Sequence, residues 1–197
     1  MTLKMHKIAC LLLVLIAVVG LQSCSASSGG TVNTHNHSGH GGDFKLIDFD
    51  NRPFELSQLR GKVVLIFFGY TSCADACPTM LSKLKRVYTE LGDGQKDVQT
   101  VFISVDPDRD TPAALKDFLG FFSIHAIGLT GKKEDIDKVV HQYGASYELE
   151  QSDSAAGYHI NHSTYLYLID QTGALRNQFK HTDSVDAIAA GIKQLLK

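Results

Sequence analysis

Seven consecutive residues, Lys62-Val63-Val64-Leu65-Ile66-Phe67-Phe68, set the strongest limit on what this chain can fold into. An apolar, β-branched run without alternation reads as a strand buried on both faces, which belongs inside a sheet covered by helices. It leads through Gly69-Tyr70-Thr71-Ser72-Cys73-Ala74-Asp75-Ala76-Cys77-Pro78 to Met80, Leu81, Leu84, Val87, Tyr88 and Leu91 at helical spacing, stopped by Gly92. Val98 to Val105 is a second buried strand. Thr111 and Pro112 offer an N-cap and a first-turn proline to a helix running to about Phe122. Ile127 to Thr130 reads as a short strand, and Lys133 to Tyr143 as an amphipathic helix closed by Gly144.

Upstream, Phe44, Leu46 and Phe49 flank an extended segment turned by Asp50-Asn51-Arg52-Pro53. Downstream, Tyr147 to Ile160 is polar and irregular, a hairpin or loop. Ser163 to Asp170 alternates as a strand, Gln171-Thr172-Gly173 turns into Ala174 to Phe179, and Ser184 to Leu196 is a closing helix. This order predicts an α/β fold of the thioredoxin-like type, a central mixed β-sheet flanked by helices on both faces. Such a layout places its chemistry at the strand-to-helix junction that carries the cysteines.

The first residues are an address. Lys4 and Lys7 precede an apolar run from Ile8 to Val19, with Gly20-Leu21-Gln22-Ser23-Cys24 after it. That is the pattern of a secretory signal, and the run is shorter than the roughly 20 residues that span a bilayer. Leu21-Gln22-Ser23-Cys24 resembles the bacterial lipobox, in which cleavage precedes a cysteine that receives lipid. The chain thus divides into a lipoprotein signal peptide (1–23), a lipidated Cys24 with a flexible linker (24–42), and a folded domain (43–197). Cleavage before Cys24 moves the formal net charge from −2 to −4. A chain of that charge lacks the basic surface that nucleic-acid binding requires. The linker carries His35, His37 and His40, a loose metal-binding tract or a polar tether that happens to hold histidines.

Of four cysteines, Cys10 leaves with the signal and Cys24 is consumed by acylation, so Cys73 and Cys77 remain as the thiols of an extracytoplasmic protein. Free thiols are scarce in an oxidising compartment unless they form a disulfide or hold a metal. Unpaired N–H groups and the dipole at a helix start favour thiolate, so at least one of the two should be more acidic than a free cysteine at about 8.5. Their spacing sets the sulfurs roughly one helical turn apart on one side. The pair alone does not choose between redox and metal chemistry.

Three motifs in order carry a resemblance. Cys73-Ala-Asp-Ala-Cys77-Pro78, then Ser104-Val105-Asp106-Pro107-Asp108-Arg109-Asp110-Thr111, then Asn161-His162-Ser163-Thr164 ahead of the strand and Gln171-Thr172-Gly173 after it are similar to the Sco/SenC family, over about Phe44 to Lys197. The resemblance implies a membrane-anchored thioredoxin-fold protein that binds a copper ion through Cys73, Cys77 and His162. It further implies delivery of copper for assembly of the binuclear copper centre of cytochrome c oxidase, with the oxidase subunit or another copper carrier as partner. Two thiolates and one imidazole suit three-coordinate Cu(I). Ala74 departs from the proline many members carry after the first cysteine, which bears on loop stiffness and leaves the ligands intact.

The prolines agree with this reading. They are Pro53, Pro78, Pro107 and Pro112, so none precedes the strand at 163–170, where a thioredoxin-type oxidoreductase keeps one. His162 stands there instead. The alternative function is a thiol–disulfide oxidoreductase that reduces cysteines of an oxidase subunit or senses redox state through Cys73 and Cys77. A peroxiredoxin-like peroxidase fits poorly, because Tyr70-Thr71-Ser72 precedes Cys73 where that chemistry wants Pro-Thr-x-x-x-Cys. His125, His141, His159 and His181 read as solvated, with an alternate-ligand or supporting role for His159 as the lesser reading. Asp106 to Thr111 reads as a turn leading into a helix cap, and Asp75 carries no assigned role.

Overall fold

The structure, a computed structural model, describes residues 40–153 and 157–197. The signal segment, Cys24, His35 and His37 lie outside the described residues; His40 is described and exposed. The apolar run forms β3 (Val63–Gly69), and every residue in it is buried. Around it β1 (Lys45–Asp48), β2 (Pro53–Glu55), β4 (Val98–Ser104), β5 (Ala126–Thr130), β8 (Leu166–Ile169) and β9 (Leu175–Phe179) complete a seven-stranded sheet. Its order is β2-β1-β5-β4-β3-β8-β9, with β3, β4 and β5 parallel and the flanking pairs antiparallel. The mixed sheet at the centre is the expected one.

Because side chains alternate along a strand, β3 splits its cargo between two cores. Val63, Leu65 and Phe67 face one side, where they pack with α1 (Ala76–Leu91), α2 (Pro112–Phe122) and α4 (Val185–Leu195). Val64, Ile66 and Phe68 face the other, covered by α3 (Lys133–Gln142), Tyr143 and Phe44. Helices therefore lie on both faces. Thr111 caps α2 by accepting the Ala114 N–H at 3.2 Å, and Ser184 caps α4 through the Ala187 N–H at 3.1 Å, as side-chain oxygens at that position do.

Two segments differ from the sequence reading. Pro53, read as part of a turn, opens β2: Asp48 Oδ1 accepts the N–H groups of Asp50 and Arg52, both at 2.8 Å, and Asn51 turns the chain at φ 61°. Pro53 then begins an edge strand, where a missing N–H costs no ladder bond. The second difference lies around the third site residue. The single strand expected over Ser163–Asp170 is shorter, whereas the hairpin, one of the two readings of Tyr147 to Ile160, forms and runs on to His162 as β6 (Tyr147–Gln151) and β7 (Tyr158–His162), outside the main sheet. Its exposed polar face left the sequence without a periodic signature, and only Ile160 enters the core.

Candidate metal centre

Gly69 pairs with Ser104 at the ends of parallel β3 and β4, so the loops that follow begin side by side. The first loop, residues 70–75, carries Cys73; the second, 105–111, folds against it. Asp110 is 1% exposed. Its carboxylate accepts the Thr71 N–H at 2.9 Å, the Thr71 hydroxyl at 2.6 Å and the Ser104 hydroxyl at 2.7 Å. The backbone two residues before Cys73 is thereby tied to the end of β4.

Cys77 lies in the first turn of α1 and is fully buried, whereas Cys73 is half-buried in the loop before it. The sequence reading set both sulfurs one turn apart on a helix. They do face each other, but through a loop closure, with the Cys77 N–H donating to Cys73 Sγ at 3.4 Å. An unpaired amide at a helix N-terminus thus points at a sulfur. The Gly69 Cα approaches closely here: a Cβ would sit 2.6 Å from Cys77 Sγ and 2.9 Å from the Phe102 ring. Only glycine fits there.

His162 ends β7, 85 residues after Cys77. Its Nε2 lies 3.6 Å from Cys77 Sγ and 3.9 Å from Cys73 Sγ. Its Nδ1 faces the Ser163 carbonyl at 3.0 Å. A carbonyl only accepts, so Nδ1 carries the proton and Nε2 presents its lone pair to the sulfurs. Phe67 and Tyr70 meet the imidazole edge-on, with ring centroids at 6.1 and 5.8 Å. Sulfur, sulfur and nitrogen all lie within 4.8 Å of one another, and among the described residues this is the one group of three or more His, Cys, Asp or Glu side chains so placed.

The two thiols are unequal. Cys73 is held far below its ordinary range by the Cys77 thiol bonded to it, against burial, with the amides of Cys77 and Asp75 as further donors. Cys77 is pushed up by the same bond to Cys73 and by burial. The half-buried Cys73 is thus the more acidic sulfur of the two. In the reduced, metal-free protein, iodoacetamide should therefore alkylate Cys73 at least about tenfold faster than Cys77, read by peptide mass mapping. Equal labelling would contradict this asymmetry.

The other histidines stay away from the sulfurs. Along β7 the side chains of Tyr158, Ile160 and His162 share one face, so His159 points to the opposite one, where it meets Glu150 Oε2 at 2.7 Å. An odd spacing along a strand excludes it from the cluster. His125 and His141 are exposed, as read. His181 is a correction: it is half-buried, and its Nε2 is buried without a hydrogen-bond partner. Asp75 is exposed at the start of α1.

The 105–111 segment is the residue set that sequence reasoning undervalued. It is a turn into a helix cap, but Asp110 also holds the cysteine loop and Arg109 reaches the hairpin of His162. A signal for this exists in the sequence: loops after adjacent parallel strands cluster at one sheet edge, so acids following β4 have to lie beside a reactive loop following β3.

Against this geometry stand the relatives. The SCO1/SenC family model matches residues 32–197. A SCO2-like protein of Rickettsia conorii is 37% identical over 167 residues, covering 84% of this chain and 82% of that one. ScoI of Bradyrhizobium japonicum, solved with copper bound, is 36% identical with a TM-score of 0.72, covering 79% of this chain and 99% of that one. A SCO1/SenC family lipoprotein of Bacillus anthracis is 29% identical with a TM-score of 0.69, covering 80% and 95%. Sequence and fold agree over the whole folded region, and the chain belongs to the SCO1/SenC family.

Proposed function

We propose that this protein is a membrane-anchored, extracytoplasmic copper carrier that holds one copper ion on Cys73, Cys77 and His162 and delivers it for assembly of the cytochrome c oxidase binuclear copper centre. The observation that carries this reading is the meeting of two sulfurs and an imidazole nitrogen, from three separate segments, within 4.8 Å. With bonds of about 2.3 Å to sulfur and 2.0 Å to nitrogen, as in thiolate–imidazole metal sites, a trigonal ion separates its sulfur and nitrogen donors by about 3.7 Å. The sulfur–nitrogen distances of 3.6 and 3.9 Å match that requirement. Two thiolates and a neutral imidazole are soft enough to favour Cu(I). The copper-bound state of the 36% identical ScoI supports the choice of metal.

Delivery is ligand exchange on a half-open site. Cys77 is buried, while the half-buried Cys73 and His162 stand at the rim, where a partner's thiolates can replace them one at a time. The partner is the copper-bearing oxidase subunit or another copper carrier. Anchoring is assigned to Cys24, with residues 25–42 as the tether; the signal-like residues 1–23 and the lipoprotein of Bacillus anthracis among the relatives support it. Among the described residues no helix is long and apolar enough to cross a membrane.

The acidity of Cys73 favours a second role at the same site. Its thiolate attacks a partner's disulfide, releasing one partner thiolate and forming a mixed disulfide. Cys77 then gives up its proton and displaces the second partner sulfur, leaving a Cys73–Cys77 disulfide and a reduced partner. Reduction of the partner and delivery of copper would then share one pair of sulfurs.

The carrier reading is tested by titrating the reduced full chain, in detergent, with Cu(I) against a competing chelator. One equivalent should bind, with X-ray absorption showing two sulfurs and one nitrogen. Binding no tighter than that of a Cys73→Ser/Cys77→Ser chain would refute it.

A further inference from the structure

The hairpin that ends in His162 has no ladder bond to the seven-stranded sheet. A two-stranded hairpin is marginally stable by itself, so something else fixes where its last side chain points. On the C-terminal side three residues lead to Leu166, which pairs with Phe67. That ties the strand at one end, and the burial of Ile160 ties it at its middle.

On the β6 side Tyr147, which pairs with His162, is tied to α3 by its hydroxyl donating to Asp137 Oδ1 at 2.6 Å and by Lys133 5.3 Å from its ring centroid. The direct hold on the side chains of β7 comes chiefly from the loop after β4. The Arg109 guanidinium lies 3.7 Å from the centroid of the Tyr158 ring and donates through Nη1 to the Tyr158 carbonyl at 3.0 Å. Its Nε donates to Asp106 Oδ2 at 2.5 Å, and the Tyr158 hydroxyl donates to Asp106 Oδ1 at 2.7 Å. Asp106 is 3% exposed. Ring, carbonyl and hydroxyl of one residue are thus gripped by one ion pair. Arg109 also stands 5.8 Å from the Tyr70 ring, and the Tyr70 hydroxyl accepts the Ile160 N–H at 3.2 Å. Tyr158, Ile160 and His162 occupy the same face of β7, so a grip on the first two sets the azimuth of the third.

We infer that Arg109, paired with Asp106 and closed on Tyr158, is a positioning residue for His162: it holds the imidazole over the sulfurs, and breaking its clasp leaves a site of two sulfurs alone. The inference rests on the copper-carrier reading for its metal readout and on hairpin geometry for the rest. Groups that support a metal ligand from behind are commonly worth roughly 10–100-fold in affinity. Here the effect runs through strand rotation and requires no contact between Arg109 and the metal.

The test uses the reduced full chain with Arg109→Gln and, independently, Tyr158→Leu, which breaks the clasp from the hairpin side without leaving Asp106 opposite a lost cation. Cu(I) X-ray absorption should show two sulfurs and no nitrogen in either variant, as in His162→Ala. Competition should show the same loss of affinity, roughly 10–100-fold, and adding His162→Ala to either variant should produce no further loss. A variant that keeps its nitrogen and its affinity overturns the clasp, and so do losses that add in full. Hydrogen exchange on the metal-free protein separates this from failure of the carrier reading. The Ile160 amide should exchange at least about tenfold faster in Arg109→Gln while the Phe67 amide is unchanged. An unchanged Ile160 amide, or one that speeds up together with the sheet, overturns the inference whether or not copper binds.

Discussion

Cys77→Ser is expected to release copper to a chelator that the unaltered chain withstands, with a loss above the roughly 100-fold that supporting groups reach. Cys73→Ser should do the same, because each substitution replaces a soft anionic donor with a neutral hydroxyl, and Cu(I) discriminates strongly between them. His162→Ala should behave differently. Two thiolates still satisfy Cu(I), so the expected loss is roughly 10–100-fold, and X-ray absorption should lose its nitrogen and keep both sulfurs. The ranking follows from chemistry and the separation from geometry. Both cysteines belong to one rigid junction around α1, whereas the imidazole arrives on a hairpin of its own. Far-UV circular dichroism should be unchanged in all three, since serine matches cysteine in volume and His162 stands at the rim. A His162→Ala chain with unaltered coordination would remove the nitrogen from the site.

Asp110 carries the second large effect, on stability. It is enclosed at 1% exposure and accepts three hydrogen bonds from Thr71 and Ser104. Asp110→Ala should lower the unfolding free energy by about 2–4 kcal/mol, because at least one backbone donor is left buried without an acceptor. That is a large part of the 5–15 kcal/mol typical of a domain. Asp110→Asn should cost far less, since the amide oxygen still receives the Thr71 N–H and the Ser104 hydroxyl, while the Thr71 hydroxyl can rotate to accept from the amide nitrogen. Burial, foremost, and then the nearby charge of Asp106 raise the Asp110 pKa above its ordinary 3.8, against the hydrogen bonds that oppose them. A raised carboxyl stabilises the fold below the unfolded-state value and loses that contribution as pH rises through the folded-state value. Denaturant unfolding should therefore show the stability of the native chain falling relative to Asp110→Asn as pH is raised from below 4 toward 7. A gap that widens in favour of aspartate over that range would contradict the assignment.

The two effects mark where sequence suffices and where it does not. β3 and β4 are legible because burial on both faces leaves no alternation to mistake, and α2 is legible because Thr111 and Pro112 announce it. β2 was hidden in a turn, since an edge strand of three residues opened by proline has no period to detect. The hairpin was only half legible for a related reason: with a single residue, Ile160, in the core, its pattern is that of a solvated loop. Of the site, the two cysteines announce themselves by compartment and by position at a strand-to-helix junction. His162 is legible only through the resemblance of its motif, because nothing local distinguishes it from His159 three residues away.

What the amino-acid order settled unaided was the α/β layering and the chemistry available at its reactive junction, since periodicity, caps and residue type act within a few positions of one another. What needed the folded molecule was aim: which face of β7 looks toward the sulfurs, that Cys73 reaches Cys77 from a loop, and that Asp110 and Arg109 brace opposite sides of one centre. Apart from the contact between the two cysteines, those relations join residues 39, 49 and 85 positions apart. They depend on strand register and loop adjacency, which packing sets for the whole sheet at once and which no short window of sequence contains.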